Sequence, residues 1–197
     1  MTDREKQFLL YALLITGGIV MWNRRSVSGA ISNATSTVKA VTNTAVAITL
    51  QGAGENEKKY APIIADAEKK YGIPAGMLHR LIKAESSFRS DVINGTTIST
   101  AGAIGIAQIV PRWHPDVNPR DPLASIDYAG KYLDQIRRIL ASKGIVNDWK
   151  AIVAGYNAGQ GSVINAFATM KQKGGTNFMT YLPRPEETVP YVNKIVV

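Results

Sequence analysis

The pattern of apolar and polar positions changes twice along the 197-residue chain. No charge occurs from Gln7 to Asn23, and Phe8 to Trp22 is almost wholly apolar. As helix this run spans about 25 Å, just short of the ~30 Å hydrocarbon core of a bilayer. Asp3, Arg4, Glu5 and Lys6 precede it, and Arg24 and Arg25 follow. Three readings fit: a retained transmembrane anchor, a cleaved signal peptide with Ser28-Gly29-Ala30 as its site, or a buried core helix. The arginine pair between the run and that site weighs against cleavage. The lack of a polar face weighs against a core helix. The expectation is therefore a single-pass anchor within residues 1–25. Its orientation stays open, because the flanking charges nearly balance.

Residues 26–54 are dominated by Ser, Thr, Ala, Asn and Val. Val27, Ile31, Ala34, Val38, Val41, Ala45 and Ile48 recur at alternating steps of four and three, a heptad seam of small knobs without flanking charges. A weakly helical stalk ending at Gln51-Gly52-Ala53-Gly54 is the simpler reading, and a self-associating or membrane-surface helix the sharper one.

From Glu55 onward the periodicity is that of a compact helical domain, residues 55–197. Tyr60, Ile63, Ile64, Ala67 and Tyr71 share one face of a helix from Glu57 to Tyr71, which Gly72 stops. Pro74 is expected to open a second helix with Met77, Leu78, Leu81 and Ile82 as its apolar stripe. Asn94-Gly95 suits a turn in a polar loop or short hairpin. Asp121-Pro122 starts a long helix through Ile126, Ala129, Leu133, Ile136 and Leu140, stopped by Gly144. Asp148 caps another helix, Ser162 a further one, and Gly174-Gly175 breaks the last of that group. No strand of convincing length and no repeat is visible. The fold class expected is all-α with room for one small β-hairpin.

Composition narrows the chemistry. There is no cysteine, which excludes disulfides, thiolate zinc sites and a cysteine nucleophile. His79 and His114 have no metal-ligand spacing with each other, and no metal site is expected. The net charge of +8 is shared: residues 1–54 carry five Lys/Arg against two Asp/Glu, and the remainder eighteen against thirteen. Such a surface suits any polyanion, whether nucleic acid, acidic lipid headgroups or a carboxylate-bearing wall polymer. Charge alone does not choose among them.

Glu85 is the residue out of place. It follows Leu81 by four and Leu78 by seven, so it projects from the stripe that faces the core. Burial disfavours its charge, and so does its place in a helix's last turn. Both effects raise its pKa towards that of a general acid at neutral pH. The competing reading is a core-edge carboxylate paired with Arg80, Lys83 or Arg89.

The surrounding text changes that balance. Glu85-Ser86-Ser87-Phe88 resembles the catalytic motif of the lytic transglycosylase family, the soluble-type domain related to goose-type lysozyme. Ala101-Gly102-Ala103-Ile104-Gly105-Ile106-Ala107-Gln108-Ile109-Val110-Pro111 is similar to that family's second motif. Ala154-Gly155-Tyr156-Asn157-Ala158-Gly159-Gln160-Gly161-Ser162-Val163 is similar to its third, and Pro185-Glu186-Glu187-Thr188-Val189-Pro190-Tyr191-Val192 to its closing signature. Four motifs in order cover roughly residues 58–197; the resemblance does not reach residues 1–54.

The resemblance implies a lysozyme-like helical domain with Glu85 as catalytic acid. It also implies a substrate-binding set of Ser87, Gln108, Tyr156, Asn157, Glu187 and Tyr191, with no metal or cofactor. Tyr156 is expected to hydrogen-bond the Glu85 carboxyl. Glu187 is expected in the cleft, contacting a peptide stem or positioning Tyr191, with a solvated first-turn glutamate as the equal alternative. Ser87 serves sugar substituents or merely caps local backbone. Gly102 and Gly105 would let backbone approach a sugar chain, and Gln108 offers both donor and acceptor. Ala107 and Val110 stand where the family often has Met, at positions expected to touch substrate, and Asn94–Thr100 is longer than the usual link.

Glycosidases commonly use two carboxylates, and here the motifs supply one, Asp91 reading better as a turn-maker. The implied chemistry is cleavage of the MurNAc–GlcNAc bond of peptidoglycan glycan strands. Glu85 protonates the leaving oxygen and then deprotonates the MurNAc 6-hydroxyl, giving 1,6-anhydroMurNAc. Two alternatives remain: a hydrolytic goose-type lysozyme, and a membrane-bound structural or DNA-delivery protein with a wall-binding domain. An anchor, stalk and wall-cleaving domain suit the bacterial envelope (periplasmic face) or a virion membrane, with envelope or virion components as partners.

Overall fold

The computed structural model of the chain describes residues 52–197. The anchor expected at Phe8–Trp22 and the heptad seam of residues 26–51 lie outside the described residues. Seven α-helices and one 3₁₀ turn follow in order: α1 Glu55–Tyr71, α2 Met77–Ser86, α3 Ser90–Ile93, α4 Pro122–Ser142, α5 Trp149–Ala158, α6 Gln160–Gln172, the 3₁₀ turn Phe178–Tyr181, and α7 Pro185–Ile195. The all-α expectation holds. Among the described residues the one β feature is an isolated antiparallel bridge between Ile104 and Ile109.

The long α4 is the axis of the core. Its stripe Ile126, Ala129, Leu133, Ile136 and Leu140 is fully buried, and it packs on α1, α5, α6 and α2. Asp121 accepts from the Leu123 and Ala124 amides at its start, with Pro122 at the first position, as the sequence predicts. Asp148 caps α5 through the Ala151 amide. Gly72 ends α1 in the left-handed region, φ 63°. α7 closes the domain against α5 and α2.

Three boundaries differ from the sequence pattern, each for a local physical reason. α2 begins at Met77, not Pro74. Gly76 turns at φ 75°, and the buried Glu68 carboxylate of α1 accepts from the Gly76 and His79 amides at 2.8 and 3.1 Å. The cap thus comes from another helix, which no local signal announces. α6 begins at Gln160, because Gly159 (φ 82°, ψ 139°) makes the corner and Ser162 is already inside the helix. Asn94-Gly95 ends the short α3 rather than turning a hairpin, and the single bridge sits in the next loop.

Candidate functional site

Glu85 occupies the last turn of α2 and is half-buried. The three bases that could have neutralised it are engaged elsewhere. Arg80 donates to the Ile195 carbonyl at 2.7 Å, Lys83 pairs with Glu57 at 2.9 Å, and Arg89 pairs with Asp91 at 2.6 Å. Its partner is instead Tyr191 of α7, whose hydroxyl donates to Oε1 at 2.5 Å. Burial pushes the Glu85 carboxyl up from 4.5 to about 7, against the opposing pull of the Tyr191 bond. A carboxylic acid that holds its proton near neutrality while keeping contact with solvent is fitted for general acid catalysis.

The chain after Glu85 is bent hard to expose it. Ser87 and Phe88 both adopt positive φ, 49° and 55°. For residues carrying a Cβ this costs on the order of 1 kcal/mol each. The buried Ser86 hydroxyl fixes the bend, donating to the Ile82 carbonyl at 3.0 Å and accepting from the Phe88 amide at 3.2 Å. Asn56 of α1 donates to the Phe88 carbonyl at 2.9 Å. Ser87 itself is exposed at the helix C-cap, and its hydroxyl makes no hydrogen bond among the described residues, so it does not cap local backbone as the plainer reading expected.

The second motif forms the tight loop around the Ile104–Ile109 bridge. Gln108 turns at φ 48° and its side-chain amide donates to the Gly105 carbonyl at 3.0 Å. Gly105 has a different task from the one expected. A Cβ there would lie 1.9 Å from the Pro119 carbonyl oxygen, so the close approach it permits is to this chain's own backbone. Gly102, at φ 81°, faces open space and leaves room for a ligand. Ala107 does not touch a pocket, being fully buried.

Tyr156 departs from expectation as well. Its hydroxyl donates to the Ala107 carbonyl at 2.8 Å, tying α5 to the second motif, while the bond to Glu85 comes from Tyr191. Burial and the nearby Glu85 charge both push the Tyr156 and Tyr191 phenols well above their ordinary range, so each stays a donor. Asn157 accepts from the buried Thr188 hydroxyl at 2.8 Å, joining the third motif to the closing one. Glu187 is exposed and pairs with Arg184 at 2.7 Å, matching the first-turn alternative rather than a role in positioning Tyr191. Asp91 accepts from the Thr97 hydroxyl and pairs with Arg89, and these contacts hold its carboxyl below the usual range. It organises the long 94–100 loop.

The structure thus joins Glu85 with Tyr191, and Asn157 with Thr188, and leaves Glu187 facing solvent. Thr188 and a row of rings (Tyr132, Tyr128 and His114) also belong here and were not singled out from the sequence. Tyr132 packs edge-on to Tyr156, centroids 5.7 Å apart, and donates to Gln160 at 3.2 Å. The available signal was the i, i+4 spacing of Tyr128 and Tyr132 beside the core stripe of α4.

Comparison with known proteins fits this geometry. The family described as transglycosylase SLT domain matches residues 62–179, which hold Glu85, Gln108 and Tyr156, whereas Glu187 and Tyr191 lie past the match. Membrane-bound lytic murein transglycosylase D of Escherichia coli (strain K12) is 32% identical over 142 residues, covering 68% of this chain and 29% of that protein. Membrane-bound lytic murein transglycosylase C of Haemophilus ducreyi is 32% identical over 127 residues, 56% and 33% of the two chains. The protein of the same name from Pectobacterium atrosepticum is 24% identical over 195 residues, 86% and 53%. The chain therefore spans between about a third and about half the length of these relatives. With more than half of its residues matched, the chain belongs to the transglycosylase SLT domain family.

Proposed function

We propose that the domain cleaves the MurNAc–GlcNAc β-1,4 bond of peptidoglycan glycan strands without hydrolysis. The observation that carries this reading is the Glu85 carboxyl, raised to about 7 by burial and held by one phenolic donor. Protonated, it delivers its proton to the glycosidic oxygen as the bond breaks. The resulting carboxylate takes the proton of the MurNAc 6-hydroxyl as that oxygen attacks the anomeric carbon, closing the 1,6-anhydro ring. The substrate supplies the nucleophile, held beside its target by its own ring, and proximity of that kind outcompetes bulk water. Two further carboxylates are engaged elsewhere, which supports a single-acid route: Asp91, just after the first motif, and Glu187, within the closing one, are each paired with an arginine.

The same reading assigns residues 1–25 to a single-pass anchor, 26–54 to a stalk and 55–197 to the cleaving domain. The support is the charge-free length of Phe8–Trp22 and the change of composition after Arg25. Such a molecule opens the wall locally from a membrane, in a bacterial envelope apparatus or a virion.

The test is mass spectrometry of sacculi digested by the purified chain. Fragments lighter by about 18 Da than hydrolytic ones are expected, the difference following from which nucleophile attacks. Reducing ends alone would establish hydrolysis instead.

A further inference from the structure

The end of α2 that carries Glu85 is held by two other helices. One is α7, through Tyr191. The other is α1, whose first turn meets α2 at two points that bracket the acid in sequence. Lys83, two residues before Glu85, donates to the two oxygens of Glu57 at 2.9 and 3.2 Å. Phe88, three residues after Glu85, has its carbonyl held by the Asn56 side-chain amide at 2.9 Å. The same nitrogen donates to the Ser90 hydroxyl at 2.9 Å. A carbonyl can only accept, so the Asn56 amide has one orientation that serves here.

The surroundings of these two contacts are unusual. Glu57 is buried, where an ionised carboxylate is costly without a counter-charge. His79 Nε2 lies 3.3 Å from it, but burial pushes the imidazole below its ordinary range, so it is neutral near pH 7 and Lys83 supplies the charge. That nitrogen is the one buried side-chain polar atom among the described residues without a hydrogen-bond partner. The His79 ring lies instead against the Phe88 ring, centroids 5.4 Å apart. Phe88 is thus held by its ring and by its carbonyl, at a φ of 55° that a residue with a Cβ keeps only when its surroundings enforce it. Among the described residues, the Asn56 bond is the one hydrogen bond that reaches the backbone of Ser87 and Phe88 from another helix.

We propose that Asn56 is a positioning residue for Glu85: bonded to the Phe88 carbonyl, it keeps the strained bend closed, and the bend keeps the acid half-buried at the end of α2. It acts through the backbone of Phe88, not on the reacting atoms. The Glu57–Lys83 pair holds the same turn from the other side of the acid. Released, the bend relaxes towards negative φ, water reaches the carboxyl, and the proton is held less tightly. Asn56 precedes residues 62–179, so the family match does not reach it. The inference rests on the proposed cleavage reading for what the acid does, but not for how the acid is held.

The experiment compares the full chain with its Asn56→Ala, Asn56→Asp and Asn56→Gln variants, each checked for folding by circular dichroism. Asp is nearly isosteric with Asn and suits the first turn of a helix, so a role limited to starting α1 predicts no loss from it. It has no N–H to give the Phe88 carbonyl, however. Ala and Asp are each expected to lower kcat on soluble glycan strands about tenfold, with KM changed less than about twofold, because a misplaced acid costs rate and not binding. The alkaline limb of kcat/KM moves to lower pH, and Gln, which keeps the amide donor, recovers part of the loss. Should Ala unsettle α1, the Asp variant carries the test. A second readout needs no turnover: the Glu85 carboxyl is titrated by carbon-13 NMR, its signal assigned by its absence in Glu85→Gln. Its midpoint should fall by about half a unit or more in the Ala and Asp variants. An unmoved midpoint in the folded Asp variant overturns the proposal, as does a rise in KM with kcat intact. If the midpoint moves while the wild-type chain cleaves no strand, the positioning stands and the cleavage reading falls.

Discussion

Tyr191 and Glu85, 106 residues apart in sequence, share a 2.5 Å hydrogen bond that fastens the middle of α7 to the last turn of α2. The bond does two things at once. It aims one carboxyl oxygen, and it stabilises the ionised form against the burial that favours the protonated one. The acid is thereby left near neutrality instead of further above it.

Replacing Tyr191 by Phe removes the donor and keeps the ring. The carboxylate loses its stabilising partner, so the Glu85 pKa moves higher still. The alkaline limb of the kcat/KM profile, which reports the free enzyme's acid, shifts to higher pH, and activity at the optimum falls roughly tenfold or more with the lost positioning. Tyr156→Phe loses a bond to the Ala107 carbonyl instead and leaves that limb in place. An unmoved limb in Tyr191→Phe would detach the phenol from the acid.

The two glycines of the second motif separate packing from ligand access. Gly105→Ala meets the Pro119 carbonyl at 1.9 Å in addition to its positive φ, and is expected to cost about 3 kcal/mol or more in denaturant unfolding. Gly102→Ala has open space and carries only the backbone penalty, about 1 kcal/mol. Equal losses at both positions would contradict the collision.

How much of this was legible in the sequence depends on how local each signal is. The long α4 announced itself through Asp121, Pro122 and a stripe that is buried as predicted, because cap and periodicity lie within one stretch of chain. The start of α2 did not, because its cap is Glu68, contributed by α1. The choice of phenol failed for the same reason. Tyr156 and Tyr191 both belong to recognised motifs, and only the packing of α7 on α2 decides which reaches Glu85. Glu85 itself was legible, since a carboxylate on an apolar stripe is a conflict visible in one helix.

The proposed anchor makes a prediction independent of the catalytic site. Membranes carrying the full chain are washed in high salt and then in detergent. Burial of an apolar run is insensitive to ionic strength, whereas attraction between basic residues and acidic headgroups is screened. The chain should remain through the salt wash and leave only in detergent. Deleting residues 7–23 should send it to the soluble fraction. Release of the intact chain by salt alone points to a peripheral protein held by its positive charge.

Glu85→Gln tests the site through both activity and stability. Gln keeps the shape and can still accept from Tyr191, but it has no proton to deliver, so cleavage should fall by about 10²–10⁴-fold. The stability effect has the opposite sign and a defined pH window. The folded pKa of about 7 lies above the ordinary 4.5 expected of the unfolded chain. Below pH 4.5 the carboxyl is protonated in both states and the raised pKa costs nothing. As pH rises from 4.5 towards 7, the unfolded chain releases its proton while the folded one retains it, so the folded state loses stability. Above 7 both are ionised and the full penalty is present, at most about 3 kcal/mol given the partial solvent contact of the side chain. Gln does not titrate. The mutant's stability relative to the wild-type chain should therefore increase between pH 4.5 and 7 and level off above, read from denaturant unfolding at a series of pH values. A difference that is flat across this window would mean that Glu85 titrates like an ordinary exposed carboxylate, and the assignment of a buried acid would fail.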